Sequence, residues 1–318
     1  MRTKVLIVAA LCLVLASTLL AQDSAQSTPA VGPVVELSLI VTDKDAKVVN
    51  TLLKDQVRVF ENKVEQTILS IDADERPVDC VVAIDSSGSL RSLFPAVLEA
   101  SRLLIMNRRS VDEIGITRFV SRDNIKKVHE FSTDNNALLK SLRDIVVEAG
   151  LSAVIDGLHN SAAWVAEHNQ ANEDRRKVVV IITDGEDRNS NYKEAQLIKL
   201  LHERGVQVFA IGLVINLDRE AGFIRTSPRE KAEKLLKAVA EETGGRAFFP
   251  QNPEQLIQAA NEISLELRAQ YRIKYQSTNG AAKKGFRKVE VKFVYSDGLK
   301  RKLISPSGYY AGTTDQLD

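Results

Sequence analysis

From 76 to 269 the chain alternates between short apolar runs and longer stretches whose apolar residues return every third or fourth position. The runs at 78–84, 114–120, 125–131, 178–182, 206–213 and 246–249 predict strands, most of them too continuously apolar to have a wet face. The stretches at 90–106, 136–147, 152–168, 192–204, 230–243 and 254–269 predict helices, the last carrying the stripe Leu256, Ala260, Ile263 and Leu267. Strand alternating with helix predicts an α/β fold: a doubly wound, mostly parallel sheet with helices on both faces. A short polar loop joins 114–120 to 125–131 and predicts one antiparallel edge strand.

On either side of this region the period falls to two. Val35, Leu37, Leu39 and Val41 alternate with other residues, Asp43-Lys44-Asp45 marks a turn, and Val57, Val59, Ile68 and Ile71 suggest two further strands, so 34–75 reads as an N-terminal β module. After 270, Tyr271, Ile273 and Tyr275 alternate, then Val289, Val291, Phe293 and Tyr295, with turn signals at Asn279-Gly280 and Asp297-Gly298. Neither this C-terminal segment, 270–313, nor the N-terminal module is large enough to fold alone. The expectation is that the two flanking segments pair into a small β-sandwich with the α/β domain at 76–269 inserted into it.

Residues 1–21 combine a short basic start, an apolar stretch and a small residue at Ala21, the pattern of a cleaved signal peptide. A flexible leader at 22–33 follows, small, polar and proline-containing. The expected location is therefore secreted or periplasmic, with no transmembrane segment in the mature chain. Removal of the signal leaves Cys80 as the sole cysteine, so no internal disulfide is expected, and its place within a strand predicts a small buried hydrophobe. Lys plus Arg number 43 against 42 Asp plus Glu. This balance gives no global field for nucleic acid, and none is expected as a partner.

The chemistry concentrates where strands end. Asp85-Ser86-Ser87-Gly88-Ser89 follows one apolar strand, Thr183-Asp184-Gly185 follows another, and Gly150-Leu151-Ser152-Ala153 precedes a helix. Each alone reads equally well as a turn or a helix cap. Together they place oxygen donors at the carboxyl edge of a sheet, where open α/β folds bind ligands, and oxygen-only donors suit a hard cation. Two carboxylates about 4 Å apart repel by about 4 kcal/mol at a typical effective dielectric. Asp85 and Asp184 would therefore be an awkward pair without a cation or a shared proton.

These motifs resemble the metal-ion-dependent adhesion site of a von Willebrand factor type A domain, a Rossmann-like fold, over about 77–267. The order of β module, type A domain and terminal β hairpin resembles a family of secreted bacterial proteins related to it. The resemblance implies Asp85, Ser87, Ser89, Ser152 and Asp184 as the metal set, with Mg2+ or Mn2+ as the ion. It implies a protein partner whose exposed acidic residue completes the coordination shell, hence an adhesion-type binding function. One position departs: the third loop of the family offers threonine, and Ser152 keeps the oxygen while losing the methyl that restrains its rotamer.

Two other readings stand beside this one. The metal could merely stiffen the loops of a structural subunit in an envelope assembly. A magnesium-dependent hydrolase is disfavoured, because aspartyl phosphatases place a second acid where this chain has Ser87, and no Gly-x-Ser-x-Gly or catalytic His setting is present. No catalytic residue is assigned. Asp156 is expected to brace the third loop by hydrogen bonding, Trp164 to sit in or near the core, His168 to serve a helix end, and 216–228 to form a loop on the metal face.

Overall fold

The structure, a computed structural model, describes residues 32–170, 174–220, 227–280, 284–294 and 301–312. The expected signal peptide, nearly all of the leader, the turn at Asp297-Gly298, Tyr295 and part of the 216–228 loop lie outside these residues. Among the described residues no helix is long and apolar enough to cross a membrane.

Two sheets make up the fold. Six strands form the first: β4 (Val78–Asp85), β5 (Glu113–Phe119), β6 (Ile125–Ser132), β7 (Arg176–Thr183), β8 (Val206–Gly212) and β9 (Ala247–Phe248). Their order is β6-β5-β4-β7-β8-β9, parallel except for β6 at the edge, as the apolar runs predict. Helices α1 (Phe94–Met106), α2 (Asn135–Arg143) and α6 (Pro253–Arg268) cover one face; α3 (Val154–Glu167), α4 (Glu194–Arg204) and α5 (Pro228–Glu242) cover the other. Alternate residues of β7 serve the two layers, Val178, Val180 and Ile182 one core, Val179 and Ile181 the second. The strand order reverses between β4 and β7, so a crevice opens beyond their carboxyl ends.

Helices α1 to α4 are shorter than their patterns predict, and the first two show why. Pro95, at the second position of α1, has no N–H to give and favours a helix start, so a 3-10 turn at Gly88–Leu90 precedes the helix. Helix α2 is capped by Asp134, which accepts from the backbone N–H groups of Asn136 and Ala137, and stops at Arg143.

The second sheet takes strands from both ends of the chain: β1 (Val34–Thr42), β2 (Val57–Glu61), β3 (Val64–Ala73), β10 (Tyr271–Gln276), β11 (Gly285–Phe293), β12 (Lys302–Ile304) and β13 (Gly308–Ala311). The order β12-β1-β10-β3-β2-β11-β13 is antiparallel throughout and interleaves the two segments, β1 with β10 and β2 with β11. The ten residues of β3 join its halves, pairing β2 through 64–66 and β10 through 67–73. Val41, Val57, Val59, Ile273 and Tyr275 are fully buried in a cluster drawn from this sheet and its loops alone. The sheet must therefore curl until its apolar face closes on itself. The expected sandwich is one continuous bent sheet. Inside it the buried Glu61 accepts hydrogen bonds from Tyr275 (2.9 Å), Ser277 (2.9 Å) and Tyr309 (3.0 Å) and lies 3.4 Å from Arg287.

Candidate functional site

Asp85 and Asp184 stand at the carboxyl ends of β4 and β7, the two strands that flank the crevice. Neighbouring hydroxyls come from the turn after β4 and from the loop before α3. The Ser152 Oγ donates to Ser87 Oγ at 2.9 Å, and the Ser87 and Ser89 hydroxyls lie 3.1 Å apart. The Ser87 N–H donates to Asp85 Oδ1 at 2.9 Å, and the Ser89 hydroxyl stands near enough to the Asp184 carboxylate to act against the rise of its pKa. All five sequence-predicted residues therefore form one connected group. Asp85, Ser87, Ser152 and Asp184 are buried and only Ser89 is exposed, so the group opens to solvent on one side.

Burial first, and then the charge of Asp184, push the Asp85 carboxyl up from 3.8 to about 6. Hydrogen bonds from Ser87 and Thr183 oppose that rise. Burial also raises Asp184, against the hydrogen bond from Ser89. Two acids are thus held in low dielectric close enough for one to disfavour ionisation of the other. A divalent cation reverses both effects.

Sequence reasoning missed Thr183. Its hydroxyl donates to Asp85 Oδ2 at 2.7 Å and accepts from the Gly185 N–H at 3.0 Å. Parallel pairing of Ile84 with Ile182 puts Thr183 beside Asp85, so the strand register would have found it. Gly185 itself sits at φ +77, where a side chain would strain the backbone and meet Leu236.

The loops are braced from below. Asp156 accepts from the N–H groups of Asn191 and Tyr192, both at 2.9 Å, so it fastens the loop after β7 to α3 rather than the third loop expected from the sequence. Asp187 accepts from Ile155 N and Ser190 Oγ and belongs to the same brace. Glu148 donates its N–H to Ser86 O at 2.9 Å and pairs with Arg118 at 2.5 Å, fixing the turn that carries Ser87. Trp164 is buried in the core, and His168, at the end of α3, bonds Glu113 at 2.8 Å and stacks on Phe131.

The family model described as von Willebrand factor type A domain matches residues 79–262. A search of curated proteins found no match. Among solved structures, an aerotolerance-related membrane protein from Bacteroides fragilis is 18% identical, covering 60% of this chain and 98% of its own, with TM-score 0.47. The pilus adhesin SpaC from Lactobacillus rhamnosus GG, in an open conformation, is 11% identical over 80% of this chain and 47% of its own, with TM-score 0.50. Proximal thread matrix protein 1 from the mussel byssus, in a form whose MIDAS motif holds zinc, is 16% identical over 64% of this chain and 48% of its own, with TM-score 0.48. At such identities these likenesses concern the fold alone.

Proposed function

Because the chain belongs to the von Willebrand factor type A domain family, we propose that it is a metal-ion-dependent protein-binding module, adhesion-type in mechanism. Asp85, Ser87, Ser89, Ser152 and Asp184 would hold a divalent cation, and an acidic residue of a partner protein would complete its shell.

The convergence of three serine hydroxyls and two buried carboxylates at one edge of the sheet carries this reading. Octahedral ligands at 2.0–2.1 Å from magnesium lie about 2.9 Å from one another, whereas calcium distances would spread them beyond ~3.2 Å. The hydroxyls stand 2.9 and 3.1 Å apart. Hydrogen bonding between the hydroxyls gives the same spacing, so the all-oxygen donor set is what suggests Mg2+ or Mn2+, with Asp85 and Asp184 binding directly or through water. The neutral hydroxyls keep the charge of the ligand set low, which leaves the ion electrophilic enough to attract one more acid. The exposed Leu151 beside Ser152 offers that partner an apolar contact at the rim. The signal segment expected at 1–21 would put the module outside the cytoplasm.

Affinity capture with the full chain in magnesium, repeated with chelator and with Asp85→Ala, tests the proposal. The partner should be lost in both repeats while the fold persists. A partner set unchanged across all three would overturn it. Loss of thermal stability without loss of partner would assign the metal a structural role instead.

A further inference from the structure

A cavity of about 280 Å³ opens beside the serine cluster at the carboxyl edge of the α/β sheet. Ser89 and Asp184 form its wall on the side of the expected cation. The rest comes from the turn after β4, the loops after β7 and β8, and Pro228, the first residue of α5. Ser87 and Ser152 take no part in it, so the cavity lies to the β8 side of the site. Roughly 300 Å³ is the lower end of the range for ligand pockets, enough for a side chain or two and too little for a large cofactor.

The floor is apolar. Leu90 and Leu213 are 1% and 4% exposed, and Leu217 and Pro228 are half-buried at its edge. It is tied to the strand that carries a metal acid: the Leu213 N–H donates to Thr183 O at 2.8 Å, and the Glu186 N–H donates to Asp184 Oδ1 at 3.0 Å. Besides Asp184, two charged groups reach the wall, Glu186 and Arg188, and they pair with one another at 2.5 Å. That pair leaves no uncompensated charge of its own to recruit an ion. Water over the leucines finds few partners, so an apolar group that displaces it gains affinity.

We propose that this cavity receives a large aliphatic side chain of the partner, one or two residues from the acid that completes the metal's shell, a proposal that rests on the metal-dependent reading of the same site. Ser89 and Asp184 belong both to the cavity wall and to the candidate metal set, so the two binding points adjoin. In an extended segment, side chains two residues apart share a face at about 7 Å, and a bent one brings neighbours to the same side. Recognition then has two parts. The cation fixes the acid, which any protein surface can offer, and the cavity discriminates among partners by what stands next to that acid.

Capped pentapeptides test this: glycine throughout with aspartate at the centre, and the same peptide with leucine or lysine one or two positions from the aspartate. Each is titrated into the full chain in magnesium and in chelator, with binding read from backbone amide shifts in nuclear magnetic resonance. For at least one placement leucine should tighten binding on the order of tenfold over the glycine peptide, and lysine should give no such gain. Leu217→Asn should bring the leucine peptide back to the affinity of the glycine peptide; if that variant fails to fold, the wild-type series decides. Equal binding of the glycine and leucine peptides in magnesium, or a leucine gain that Leu217→Asn leaves intact, would overturn the inference while the cation site stands. No magnesium-dependent binding by any peptide would overturn the reading of the metal site, and this inference with it.

Discussion

Replacing Asp85 by Asn should stabilise the metal-free protein while abolishing its response to magnesium. Asp85 is fully buried and its carboxyl is pushed up from 3.8 to about 6, by burial first and by Asp184 second. For an acid whose folded pKa lies above its unfolded value, the charged form is the costly one. The cost is absent below pH ~3.8, grows between there and pH ~6, and is complete above that. At about 1.4 kcal/mol per pKa unit it amounts to roughly 3 kcal/mol at neutral pH. Asn carries no charge but forfeits part of the hydrogen bonding that Asp85 Oδ1 and Oδ2 accept from Ser87 N and Thr183 Oγ1, which returns about 1 kcal/mol. The net expectation in metal-free urea denaturation at pH 7.5 is a gain of about 1–3 kcal/mol. Magnesium at a hundred times its dissociation constant should then stabilise the wild type by about 2.7 kcal/mol and the variant not at all. A variant less stable than the wild type without metal, or equally stabilised by magnesium, would refute the reasoning.

Other consequences are checked more simply. Magnesium affinity should fall as pH drops through about 6, because the ion requires the ionised form of Asp85, and calorimetric titrations at pH 5 and 7.5 should differ accordingly. Gly157→Ala places a Cβ 2.7 Å from the Phe119 ring, in the packing of α3 on β5, and should cost about 1–3 kcal/mol in denaturant unfolding. Glu61→Ala removes the carboxylate that Tyr275, Ser277 and Tyr309 share and leaves Arg287 buried without its acid. It should destabilise by about 3–5 kcal/mol, read from the shift in urea midpoint.

The grouping of the candidate site's residues was legible in the sequence because they fall where strand propensity ends. Four apolar residues before Asp85 and five before Thr183 fix those strands as buried, and a parallel sheet then brings their ends together. Thr183, Glu148 and Arg118 were not legible, since their roles depend on strand register and on side-chain pairing across long separations. The β2–β3 hairpin was hidden for a local reason. Its turn places Asn62 at φ 50 and Lys63 at φ 70, and lysine gives no signal for a left-handed backbone. Alternation gave the strands flanking the α/β core, but their interleaving came from tertiary pairing, with β3 serving both halves of one bent sheet.

Anomalous diffraction from crystals of the full chain soaked in Mn2+ tests the metal site most directly. One peak should appear within bonding distance of the Ser87 and Ser89 hydroxyls, between Asp85 and Asp184, and vanish in Asp85→Ala. No peak there, or one confined to the cluster of Asp79, Glu113 and His168 at the other edge of the sheet, would contradict the account.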